Sequence, residues 1–124
     1  MHGNAAVVYV PAGGKSQETN QRVVLTSAMS EGHALGCADF LGAGKDQIAV
    51  GWRGNPQNPR PVGIKLFTPM DESGTQWRES SIDENEMATE DLQVADLNGD
   101  GKPDIVASGR STKNLKIYLN ETGR

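Results

Sequence analysis

The chain has 124 residues, enough for one ordinary domain, and its 16 acidic against 12 basic residues leave a net charge of -4 with no basic run. That balance excludes the electrostatic footprint of a nucleic-acid partner, and no apolar stretch approaches the roughly 18 residues of a membrane span. Val, Ile, Leu and Phe number 24, low for a globular chain, yet the charge is too small for the self-repulsion of a disordered one; the single Cys37 rules out an internal disulfide framework.

In chain order, "MHGNAAVVYV" lacks the basic start and long apolar centre of a signal peptide and opens almost directly on an alternating strand, "AVVYVP" at 6–11. Segment 31–35, "EGHAL", leads into a strand, and "GWR" at 51–53 leaves its partner. Residues 54–62, "GNPQNPRPV", carry three prolines and read as a loop insertion, because proline cannot sit in a central ladder. Strands follow at 64–69 (IKLFTP), 76–82 (QWRESSI), 92–96 (LQVAD), 104–108 (DIVAS) and 115–120 (LKIYLN). No segment has the 3.6-residue apolar period of a helix, so the chain is all-β.

The chain also repeats itself. "CADFLGAGKDQIAVG" (37–51) lies over "VADLNGDGKPDIVAS" (94–108) without a gap, Asp39 on Asp96, Leu35 on Leu92 and Arg53 on Arg110. The aromatic-ended strand occurs three times, with Tyr9, Phe67 and Tyr118 in equivalent places. Repeat 1 spans about 6–63, repeat 2 about 64–114, and 115–120 is an extra strand within a single segment, 1–124. Short antiparallel strands at this period predict two four-stranded β-propeller blades plus one strand, an incomplete propeller unless oligomeric. Either the chain is a segment of a larger ring, or several copies assemble into one.

The most informative stretch is "ADLNGDGKPDIVASG". Asp96, Asn98, Asp100 and Asp104 place side-chain oxygens at loop positions 1, 3, 5 and 9, with the Lys102 carbonyl at 7 and Gly101 at the sharp turn. This is the donor order of a calcium loop. Position 12 is Ala107 within a strand, not the glutamate of a helical calcium loop, and all donors belong to the turn itself, so a structural cation is expected, in the roughly 0.1 to 1 mM class. The bare alternative is a set of Asx turns. The first repeat keeps Asp39, Gly42 and Gly44 but has Leu41, Ala43 and Gln47 at the remaining places, so its loop, 39–47, is expected to have lost metal, with Lys45 or Asp46 satisfying Asp39.

The run "DLNGDGKPDIVASG" followed by "LKIYLN" resembles the FG-GAP or VCBS-type repeat of integrin-like β-propellers and many bacterial extracellular proteins. The resemblance implies a propeller in which the acidic loop holds calcium through Asp96, Asn98, Asp100, Asp104 and the Lys102 backbone. It also implies a secreted or periplasmic setting and a scaffold for a carbohydrate or protein ligand, completed by further blades in the same chain or by copies of it.

If the acidic turns lie at one end of the paired strands, the other ends emerge on the opposite face. His33, Arg53, Glu90, Asp91 and Arg110 then gather on one rim, where Arg53 can clasp Glu90 or Asp91 of the next blade. Trp52 either packs between blades or stacks on a sugar ring. The same residues are similar to the propeller part of aldos-2-ulose dehydratase-like proteins. That resemblance implies His33 as a proton carrier, with Arg53 and Arg110 polarising enolate oxygens in a carbon–oxygen lyase acting on sugar derivatives. Two blades hold at most part of such a pocket, so catalysis by this chain alone is not expected. A third reading is a self-assembling two-blade lectin-like module.

Overall fold

A computed structural model describes residues 3–11, 20–57 and 61–123. Among them are nine strands and no helix: β1 Ala6–Pro11, β2 Asn20–Thr26, β3 Gly32–Ala38, β4 Gln47–Trp52, β5 Gly63–Pro69, β6 Trp77–Glu84, β7 Thr89–Ala95, β8 Asp104–Gly109 and β9 Asn114–Tyr118. Of the expected 54–62 loop, residues 58–60 lie outside the described residues; the rest connects β4 to β5.

All pairing is antiparallel, in sheets ordered β1-β2, β3-β4-β5-β6 and β7-β8-β9. The all-β class and the propeller-like, unclosed arrangement agree with the sequence. The sheets, however, cut across the sequence repeats. Each repeat begins with a strand of one sheet (β1 or β5) and ends inside the next, so the nine strands divide as two, four and three, and β3 to β6 form the complete four-stranded unit. A linear repeat does not reveal where a sheet ends, because that depends on which strand edges meet.

The irregularities repeat too. His33 is skipped in the β3–β4 register and Glu90 in the β7–β8 register, so each inner strand carries a bulge at its second residue. Leu25 and Ile82 are skipped likewise in β2 and β6. A bulge re-aims the extra residue out of the ladder. Here it delivers His33 and Glu90 to one rim.

The main core lies between the second and third sheets. Ala34, Ala49, Ile64 and Leu66 on one side meet Met87, Leu92, Ile105 and Ala107 on the other, with Tyr118 packed against them. A second cluster, Ala6, Met29, Val50, Trp52 and Phe67, joins β1–β2 to the opposite face of the four-stranded sheet. Strand β4 is therefore covered on both faces, while β8 is covered on one. The difference shows at equivalent positions: Ile64 is fully buried, whereas Leu115, its counterpart on β9, is 65% exposed.

Candidate functional site

The two acidic turns sit at the same end of their hairpins. In the second, Asp96 leaves β7 and accepts backbone N–H bonds from Gly99 (2.7 Å), Asp100 (3.1 Å) and Gly101 (2.8 Å). Gly99 and Gly101 have φ of 79° and 82°, the left-handed region that favours glycine, which lets these amides converge on one carboxylate. Asn98 Oδ1 accepts from Asp100 N at 3.0 Å, and Asp100 Oδ1 accepts from Lys102 N at 3.1 Å. Asp104, 1% exposed, accepts from Leu97 N (2.9 Å) and Asn120 N (2.7 Å).

The donors are hard oxygens of the kind and order that a hard cation takes. Among the described residues, no three His, Cys, Asp or Glu side chains are drawn together tightly enough to hold a metal. In this structure the turn closes on its own amides.

The first turn keeps the shape with only the first of these acids, Asp39. Asp39 accepts from Ala43 N (2.9 Å) and Gly44 N (2.7 Å), and these bonds hold its carboxyl below the usual carboxylate range. The expected Lys45 or Asp46 partner is corrected: Lys45 pairs with Glu72 instead. Backbone amides are nearer than a flexible ammonium and are fixed by the turn. Gln47, the counterpart of Asp104, still caps the turn by accepting from Leu41 N at 3.0 Å. Asn120, which sequence reasoning passed over, ties the two turns together by donating to Phe40 O (2.7 Å) and Pro103 O (3.1 Å).

At the opposite rim, Arg53 follows β4 and spans two sheets. Its Nε donates to Glu31 at 2.9 Å and its Nη1 to both oxygens of Glu90 at 3.0 and 3.2 Å. Asn55 donates to the second Glu31 oxygen at 2.7 Å. The carboxylates raise the Arg53 pKa, Glu31 most. Burial works to raise the Glu90 carboxyl, but Arg53, His33 and Arg110 outweigh it and leave it lowered.

His33 Nδ1 lies 2.6 Å from the Glu90 carbonyl, a contact that requires the proton on Nδ1, and Nε2 lies 3.9 Å from Glu90 Oε1. A cavity of about 650 Å³ opens beside this cluster, lined by Glu31, Arg53, Asn55, Glu90, Arg110 and Ser111, with Pro56 and Val62 as an apolar wall.

The structure thus brings Arg53, Glu90 and Arg110 around one cavity. His33 touches Glu90 but lines a separate apolar groove of about 530 Å³ beside β1, with Leu35, Cys37 and Val50. Asp91 turns away and caps its own strand at Leu92 N, 2.9 Å. Trp52 is 5% exposed, packs in the second core cluster and donates to the Pro61 carbonyl, so it is not a stacking platform in the cavity.

Glu31 and Asn55 were missed. Glu31 aligns with Ala88 in the second repeat, so the repeat itself carried no signal for it. Asp83 was missed as well: it accepts from Lys116 (3.0 Å) and Tyr118 (2.8 Å) of the next sheet. The one clue was a hydroxyl on Tyr118 where the aligned Phe67 has none.

Among the described residues, no helix is long and apolar enough to cross a membrane. No curated protein matches the chain. The FG-GAP repeat family matches residues 88–112, from the entry of β7 through the acidic turn to just beyond Arg110. The β7–β8 hairpin is therefore an FG-GAP-type repeat, set in an all-β frame of propeller type.

Proposed function

We propose that this chain is a propeller-type scaffold of an extracellular or periplasmic protein, with a structural calcium on one face and a carbohydrate-binding rim on the other. The rim cavity carries the reading. Paired carboxylates, guanidinium groups and an amide beside Pro56 and Val62 offer planar acceptors and donors for sugar hydroxyls and an apolar wall for a ring face. Its volume is within the roughly 300 to 1,000 Å³ of small-molecule sites. A protein ligand would use the same rim. His33, the proton carrier that the lyase reading names, lines the other groove and not this cavity.

Calcium would be held by Asp96, Asn98, Asp100, Asp104 and the Lys102 carbonyl, and it would neutralise three carboxylates crowded into one turn. A ring made from copies of this chain meets an obstacle. Strands β1, β5 and β9 are equivalent; β5 and β9 pair with the second strand of their sheets, so β9 of one copy and β1 of the next would claim the same edge of β8.

Two measurements test the reading. Thermal unfolding in 1 mM calcium against chelator should show a stabilisation of the full chain that Asp100→Ala abolishes; an equal loss in chelator would show that the loop binds no metal. Titration with neutral oligosaccharides should give saturable binding weakened by Glu90→Gln, and binding unaffected by that change would move the site away from this rim.

A further inference from the structure

We propose that Asn98 is a modification site, an asparagine that deamidates through a succinimide when the second acidic turn opens and that the closed turn keeps intact. Of the asparagines in the chain, Asn98 alone precedes a glycine. Glycine lacks the Cβ that hinders attack by its own nitrogen, and both residues are exposed. A Cβ built on Gly99 meets nothing within 4 Å, so no neighbour crowds this step of the chain.

The reaction needs only water. The Gly99 nitrogen attacks Asn98 Cγ, the new N–Cγ bond replaces the bond from Cγ to the side-chain nitrogen, and that nitrogen leaves as ammonia with the proton that Gly99 gives up. Water then adds to one of the two ring carbonyls and opens the ring. The product is an aspartate or, where the backbone comes to run through Cγ, an isoaspartate.

The closed turn opposes the first step. The Gly99 N–H, whose proton must be given up, donates to Asp96 Oδ1 at 2.7 Å, and a carboxylate in that place disfavours a nitrogen that has lost its proton. Asn98 Oδ1 accepts from Asp100 N at 3.0 Å and Nδ2 donates to Asp100 Oδ2 at 3.4 Å, which ties both ends of the reacting amide to residue 100. Asp96 also accepts from the Asp100 and Gly101 amides, so one side chain closes the turn around the reacting pair. The first turn has the same closure on Asp39, with unreactive Leu41 where Asn98 stands.

Either product puts a fourth carboxylate in the turn, beside Asp96, Asp100 and Asp104. The isoaspartate also adds a methylene to the backbone between Asp96 and the three amides that it holds, which prevents them from closing again in register. A transient opening of the turn is thereby recorded permanently.

The test incubates the full chain at mildly alkaline pH and reads the mass gain of amide-to-acid conversion in the proteolytic fragment that contains residue 98. The folded chain should convert at least tenfold more slowly than the same chain unfolded in urea. Asp96→Asn, shown by circular dichroism to be folded, should convert at least threefold faster than the unaltered chain. Asp39→Asn, the equal charge change in the other turn, should stay within twofold. If Asp96→Asn does not fold, amide exchange at Gly99 of the unaltered chain takes its place, and it should be at least tenfold slower than in the unfolded chain.

Equal conversion of folded and unfolded chain, an unprotected Gly99 amide, or a folded Asp96→Asn that converts at the unaltered rate overturns the protection by this turn. Absence of conversion at residue 98 in urea overturns the site itself.

Discussion

Gly51 lies on β4 at a close approach of the second and third sheets. A Cβ added there would stand 2.4 Å from Thr89 Cγ2 and 2.7 Å from Thr89 Cβ, well inside contact distance. Thr89 is fully buried, and its hydroxyl reaches the Gly63 and Met87 carbonyls at 3.2 and 3.3 Å, so it cannot swing aside without losing them. Overpacking of this kind costs about 1 to 3 kcal/mol. Replacing glycine by alanine returns about 0.4 to 1 kcal/mol by restricting the unfolded chain.

Gly51→Ala should therefore destabilise by about 1 to 2 kcal/mol, read in urea as a lower midpoint with an unchanged slope. Adding Thr89→Ser removes the methyl at 2.4 Å and should recover part of the loss, while the 2.7 Å contact to Cβ persists. Ser108→Ala, at the equivalent place facing the open side of β8, should stay within about 0.5 kcal/mol. A Gly51→Ala chain with an unchanged midpoint would refute the close packing of these two sheets, and with it the propeller-like stacking.

Asp104→Ala should cost about 2 to 4 kcal/mol even in chelator, because it strips acceptors from two backbone amides, those of Leu97 and Asn120; a neutral effect in urea unfolding would mean that water replaces the carboxylate without loss. Stability should be flat through neutral pH and fall as pH drops below about 4, because Asp39, Asp83 and Glu90 have folded pKa values below their ordinary ones, and the unfolded chain takes up their protons first. Burial and Asp83 hold the Tyr118 hydroxyl well above its ordinary value, and Lys116 is raised by Glu86 and Asp83, so stability should fall again above pH ~10. A melting temperature unchanged between pH 5 and pH 3 would show that these acids have no folded-state partners in solution.

Strand positions and the turn were legible because their causes are local. Apolar alternation and Gly, Asn, Asp punctuation placed "AVVYVP" at the residues of β1 and the other expected strands within a few residues, and the gapless alignment put both acidic turns at one end. At the end of β9, Leu119 and Asn120 leave the strand because Asn120 turns to bind the Phe40 and Pro103 carbonyls.

The rim was half legible. Alignment marked Arg53 and Arg110, but Glu31, Asn55 and Asp83 could not be found in that way, since their partners lie 22 to 35 positions away on other strands.

By itself, then, the sequence determined what short-range physics controls: strand, turn, repeat and the order of oxygens in the acidic loop. Only the tertiary structure decided how the nine described strands divide into sheets, that Arg53 joins Glu31 to Glu90, and that Trp52 is buried. Those outcomes depend on which edges and faces meet across the chain, and a repeat that reads the same in both halves meets different neighbours in each.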